Sequence, residues 1–199
     1  MMLDLFDMPV LPGLHACPDF LDRDEERALI ARIDATDPTP FKFQGWTSKR
    51  HTTSFGWSYG FEVGHPVAAE PLPDWLLSIR DRAARFAQLD STFLVQALLI
   101  RYDPGAGIGW HRDRPVYEDV IAISLGEPAT MRFRRRCKGG FERANAPLDP
   151  RAAYHLSGAA RHDWEHSIVE MDRPRWSITF RSLSIIGRKI LAGEPISRC

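Results

Sequence analysis

The sequence predicts an α+β domain in which helices near the N-terminus support a β-sandwich of the jelly-roll type, a double-stranded β-helix. Three observations predict it. Two amphipathic helical patterns lie in the first part of the chain. From Phe93 onward, short runs of β-branched and aromatic residues alternate with turn signals. The chain has 199 residues, enough for one domain with a sizeable core and too few for two of ordinary size. The expected organisation is a single domain over 1–199, with 1–92 as helical support and 93–185 as the β core.

The first helix is expected from Asp22 to about Ala35. Asp22 with Glu25 can close a capping box, Leu29, Ile30 and Ile33 form an apolar stripe, and Pro38 and Pro40 end the pattern. The second is expected from Pro73 to about Ala87, with proline in its first turn and Trp75, Leu76, Ile79, Ala83 and Phe86 at helical spacing. The stretch between them is less regular. Strands are expected at Val95–Tyr102, ended by Asp103-Pro104-Gly105, and at Val120–Leu125, Thr130–Arg134, Ala153–Leu156, Ser167–Val169 and Trp176–Leu183.

Composition is that of a soluble protein, 44% apolar and 26% charged, with no apolar run near the ~20 residues of a membrane-spanning helix. The first residues have neither a basic start nor an unbroken apolar stretch, so the expected compartment is the cytoplasm, and a monomer is expected. Cys17, Cys137 and Cys199 are far apart and in no C-x-x-C pair, which argues against a disulfide framework or a thiolate zinc site. Lys plus Arg and Asp plus Glu are equal at 26 each. Any nucleic-acid contact must therefore be local rather than a property of overall charge.

Chemistry concentrates in three places. In Trp110-His111-Arg112-Asp113, residues two apart on an extended segment face one side, so His111 and Asp113 can address one metal. His166 opens a later strand, after Gly158-x-x-Arg161. Two imidazoles and one carboxylate leave coordination positions open, the facial set that suits Fe(II). Arg175-Trp176-Ser177-Ile178-Thr179-Phe180-Arg181 alternates cleanly, with both arginines on its polar face. Their Cα atoms stand roughly 20 Å apart, and side chains reaching inward could narrow that to the span of a short dicarboxylate. Taken singly, each has a plain reading: a surface turn, a packed strand-edge histidine, a charged strand face.

Together, L-I-R-Y-D-P-G-A-G-I-G-W-H-R-D at Leu99–Asp113, I-S-L-G at Ile123–Gly126, L-S-G-A-A-R-H-D-W-E-H-S-I at Leu156–Ile168 and R-W-S-I-T-F-R resemble the AlkB family of 2-oxoglutarate dioxygenases over roughly Leu14 to Leu183. The resemblance implies Fe(II) held by His111, Asp113 and His166, with 2-oxoglutarate and O₂ as co-substrates. It implies that Arg175 and Tyr102 bind the distal carboxylate of 2-oxoglutarate, and that Arg181 and Ser177 lie near its keto-acid end. The implied reaction hydroxylates a C–H bond; an N-methyl group so hydroxylated leaves as formaldehyde. Two positions depart from the family: Ile100 replaces an asparagine that contacts the co-substrate, and Pro115 replaces an acid used in reading the base.

Substrate contacts are expected from 1–92, where Trp46, Lys49, Arg50, Phe55, Trp57 and Tyr59 interleave basic and aromatic residues as in sites for a flipped or single-stranded base. Phe55 and Trp57 read more readily as core. Arg132–Lys138, the one dense basic cluster, fits a phosphate track or a solvated hairpin edge. The leading expectation is oxidative dealkylation of nucleic acid. A hydroxylase of protein or small molecules on the same scaffold, and a silent binding module, are the alternatives.

Overall fold

In the computed structural model, which describes residues 10–43, 46–60 and 65–194, α1 spans Arg23–Asp34 behind the expected capping box. Asp22 Oδ1 accepts from the Asp24 and Glu25 amides at 2.8 Å, and Glu25 Oε2 accepts from the Asp22 amide at 3.0 Å. Such a cap is worth about 1 kcal/mol. Helix α2 runs Asp74–Phe86, with Pro73 as its N-cap rather than inside its first turn. Gly158–His162 (α3) and Ile185–Leu191 (α4) are short.

The first ninety residues hold more strand than the sequence predicts: β1 Leu14–Cys17, β2 Thr39–Phe43, β3 Trp46–Phe55, β4 Trp57–Gly60 and β5 His65–Ala68. The reason lies in β3. Arg50, Thr52 and Ser54 alternate with His51, Thr53 and Phe55, so the apolar/polar signal of a half-buried strand is missing. Pairing with β6 supplies the order instead, in a register that sets Arg50 opposite Tyr102 and Phe55 opposite Ala97.

The later strands are β6 Leu94–Tyr102, β7 Ile108–His111, β8 Tyr117–Gly126, β9 Ala129–Cys137, β10 Gly140–Leu148, β11 Ala153–Leu156, β12 Glu165–Ile168 and β13 Arg175–Leu183. They form a seven-stranded sheet in the order β1-β11-β8-β13-β6-β3-β2 and a four-stranded sheet in the order β10-β9-β12-β7. From β6 to β13 the chain passes back and forth between the sheets, pausing only at the β9–β10 hairpin. This is the winding of a jelly roll.

Two apolar layers follow. Leu29, Ile33, Leu76, Ile79 and Ala83 of the helices pack on Leu99, Ile121, Ile123 and Phe180 of the large sheet. On its other face, Ile100, Tyr102 and Val120 meet Met131, Phe133 and Ile168 of the small sheet. Alternation along each strand of the large sheet feeds both layers, which is why its strands read as near-continuous apolar runs. Cys17 and Cys137 are free thiols, and Cys199 lies outside the described residues. No helix among the described residues is long and apolar enough to cross a membrane.

Candidate active site

Strand β13 lies between β8 and β6 in the large sheet, and its inward residues Arg175, Ser177, Thr179 and Arg181 line one wall of the pocket between the sheets. His111, Asp113 and His166 line the other wall. The antiparallel pairing of β12 with β7 sets His166 directly opposite His111, and their ring centroids stand 4.3 Å apart. Asp113, two residues beyond His111, brings Oδ2 to 3.7 Å from His166 Nε2. Donor atoms each about 2.1 Å from one ion in neighbouring positions stand about 3 Å apart, so this set can close on a metal with a small adjustment.

Electrostatics prepare the three side chains for that role. His111 Nδ1 lies 2.9 Å from the Gly109 carbonyl, which only accepts, so Nδ1 carries the proton and the Nε2 lone pair is free. Burial, reinforced by His111, pushes the His166 imidazole down to about 4 and keeps it neutral, as a ligand must be. Burial alone would raise the Asp113 carboxyl. Arg181 and the two imidazoles more than offset it and hold the carboxyl well below the usual range. The Arg181 contact is direct: Nη2 donates to Asp113 Oδ1 at 2.9 Å, while Nη1 donates to Gln96 Oε1 at 3.1 Å.

Arg175 is placed differently. It is 2% exposed, lies opposite Tyr102 in register, and sets its guanidinium 5.0 Å from that ring. Nη2 donates to Ser124 Oγ at 3.1 Å, yet Nε and Nη1 are buried without a protein acceptor. Burial lowers its pKa, with the two nearby tyrosines opposing. Among the described residues it has no carboxylate partner. A buried cation with unused donors fits an anion that arrives from outside. Ser177 stands next in the row, opposite Ile100, so an apolar side chain fills the position where an amide would be available.

Arg161, in the Gly158-x-x-Arg161 stretch before His166, has a role that spacing does not announce. Arg161 is 3% exposed, and its Nη2 donates to the carbonyls of Arg114 and Tyr117, both at 2.7 Å. It thus clamps the loop that follows Asp113. Pro115 belongs to the same loop, where its carbonyl accepts from Ser184 Oγ at 2.6 Å and ties the loop to α4. An inward arginine and a proline carbonyl leave no mark in hydrophobic periodicity.

The expected substrate residues separate. Arg50 faces the pocket side of the sheet, with its guanidinium 4.3 Å from the Phe41 ring; burial lowers its pKa, with Arg181 adding and Asp113 opposing. Tyr59 lies under Arg114 at 4.8 Å and packs against Val116 and Tyr117. Phe55 points the other way, into the layer under the helices, and is core. Trp57 is half-buried in β4, Lys49 is exposed, and the Trp46 side chain lies outside the described residues.

Gly107 sets the approach of the two metal-side strands, since a Cβ there would stand 2.8 Å from the Ile168 carbonyl oxygen. Gly107→Ala is expected to destabilise the protein by about 1–3 kcal/mol and to weaken metal retention, because β7 must move relative to β12. Thermal melting and bound iron after gel filtration measure the two effects; unchanged iron retention would show that the pairing tolerates the shift.

Comparison with known proteins agrees with this geometry. The family model for the 2OG-Fe(II) oxygenase superfamily matches residues 13–181. The "Alkylated DNA repair protein ALKBH8 homolog" of Arabidopsis thaliana is 28% identical over 184 residues, 79% of this chain and 51% of that protein. The "Probable RNA/DNA demethylase ALKBH6" of Danio rerio is 28% identical over 148 residues, 73% of this chain and 59% of that protein. The chain thus spans between half and three-fifths of these relatives. Among solved structures, OsALKBH1 superposes with a TM-score of 0.66 at 15% identity, covering 85% of this chain and 96% of that one. A sandwich that places two imidazoles and a carboxylate opposite a buried arginine is what that superfamily's metal and keto acid require: the chain belongs to the 2OG-Fe(II) oxygenases, on the AlkB-like side, and its cofactors are Fe(II), 2-oxoglutarate and O₂.

Proposed function

We propose that this chain is an oxidative dealkylase of alkylated or modified nucleic acid. The observation that carries the enzymatic part is the buried Arg175 guanidinium with two unused donor atoms, facing one pocket with His111, Asp113 and His166. In this reading the three latter residues hold Fe(II), and Arg175 with Tyr102 takes the distal carboxylate of 2-oxoglutarate. Arg181 fixes Asp113 and keeps it charged, Ser177 lies beside the co-substrate, and Arg161 holds the loop behind the carboxylate. With iron bound, 2-oxoglutarate and O₂ supply the oxidation, yielding succinate and CO₂ as a C–H bond is hydroxylated. Arg50 on the pocket face of β3 and Tyr59 beside the loop after Asp113 edge the substrate side, where a guanidinium and an aromatic ring suit a base and its phosphate. The nucleic-acid part is supported by the names of the relatives and by that aromatic-basic rim.

Methylated single-stranded oligonucleotides, DNA and RNA, incubated with Fe(II) and 2-oxoglutarate are expected to lose methyl groups as measured by mass spectrometry, in step with succinate. Succinate formed with no oligonucleotide demethylated, but stimulated by a peptide or small molecule, would replace nucleic acid with that substrate class.

A further inference from the structure

The small sheet has two faces of opposite character. His166, Phe133 and Met131 point inward, while Arg132, Arg134 and Arg136 alternate with them along β9 and point out. Arg143 of β10 lies directly opposite Arg134, a like-charge pairing that is unfavourable by itself. One carboxylate offsets this group: Arg134 Nε stands 2.6 Å from Glu165 Oε2. Arg136 and Arg143 have no ion-pair partner among the described residues. In a chain whose charges balance at 26 and 26, this is segregation of positive charge onto one surface.

The arginines are also held in place. Arg132 and Arg134 stack on Trp110 at 5.1 and 4.4 Å, and Arg134, Arg136 and Arg143 surround Phe141 at 4.8, 5.1 and 5.7 Å. The rings limit the freedom of the guanidiniums without neutralising them, leaving N–H donors for an acceptor in solvent. Alternate residues of a strand are about 7 Å apart. No compact anion reaches all three positions of β9, whereas a polymer carrying one charge per repeat does. The strip is two strands, about 5 Å, wide, which suits one backbone rather than a duplex. Because the rings already face guanidiniums, they are not open platforms for bases.

We infer that this outer face binds the phosphodiester backbone of a single-stranded nucleic acid, outside the pocket and without reading its sequence. It rests on the proposed function only in naming nucleic acid as the polyanion. The test is fluorescence anisotropy with a labelled, unmodified oligothymidylate titrated over a range of salt. Arg136→Gln/Arg143→Gln removes two exposed charges that lie outside the pocket. It is expected to weaken binding about tenfold at low salt and to lower the magnitude of the salt slope by about 1.4, two contacts at roughly 0.7 each. Uncoupled 2-oxoglutarate turnover and melting temperature should be unchanged. A charge-matched variant on other surfaces, Arg23→Gln/Lys189→Gln, should bind as the parent does. Equal losses in both variants, no loss in either, no binding by the parent, or binding to phosphatidylserine vesicles in place of the oligonucleotide would each overturn the assignment. Demethylation is scored separately: strand binding through this face without demethylation would remove the dealkylase reading and leave the face standing.

Discussion

Alanine at His111, Asp113 or His166 is expected to leave no measurable iron-dependent turnover of 2-oxoglutarate. The metal supplies several kcal/mol of stabilisation, so its loss corresponds to a thousandfold or more in rate. The three variants should differ in stability, however. Asp113 and Arg181 form a pair whose side chains are 8% and 14% exposed. Asp113→Ala leaves that guanidinium without its carboxylate, and breaking such a buried pair costs about 3–5 kcal/mol. His111→Ala leaves no charge uncompensated. Melting temperature should therefore fall most for Asp113→Ala, and Asp113→Asn, which retains an acceptor for Arg181, should recover part of the loss without recovering activity. Iron retained by His166→Ala after desalting would refute the ligand assignment.

Arg175 provides the second large effect, and it has two opposed parts. Arg175→Met is expected to raise the 2-oxoglutarate requirement by two orders of magnitude or more, since truncating one side of a buried charged pair costs about 2–5 kcal/mol. The iron requirement should change far less, because Arg175 does not contact the metal-side residues. In the absence of co-substrate the same change should raise the melting temperature. The native guanidinium is buried with Nε and Nη1 unpartnered, and an apolar side chain of similar volume removes that penalty. Adding 2-oxoglutarate should stabilise the parent protein and not the variant. A variant less stable than the parent in the empty form would indicate that Arg175 is held by the fold for structural reasons.

The residues of the pocket were readable because their chemistry is local: H-x-D on an extended segment and arginines at even spacing on β13 point to one side by strand alternation alone. The register that sets His166 directly opposite His111 was not, since it depends on a pairing between strands far apart in the chain. The strands of 39–68 escaped for a related reason. In β3 both faces carry Thr, Ser, His or Arg, and it is β6 that imposes its extended form; β2 then pairs on β3, and β4 and β5 pair with each other. Ser167–Val169 was displaced because β12 ends at Ile168 and Val169 has left the sheet. The β9–β10 hairpin extends beyond Thr130–Arg134 because backbone pairing, from Gly140 opposite Cys137 to Leu148 opposite Ala129, holds a strand that apolar periodicity does not announce.

Strand β7 is four residues long and forms the open edge of its sheet. Short edge strands are ordinarily the first to fray, since half their amides have no partner strand. Here His111 on that edge meets His166 on its interior neighbour, and an ion held between them would act as a rivet across the seam. Metal loading would then govern more than chemistry. Without iron, the segment 104–113 should exchange its amide protons and admit proteases well before the rest of the sandwich opens; with iron, it should exchange at the pace of the sheet behind it. The cell could thereby distinguish loaded from empty enzyme by how long the chain survives.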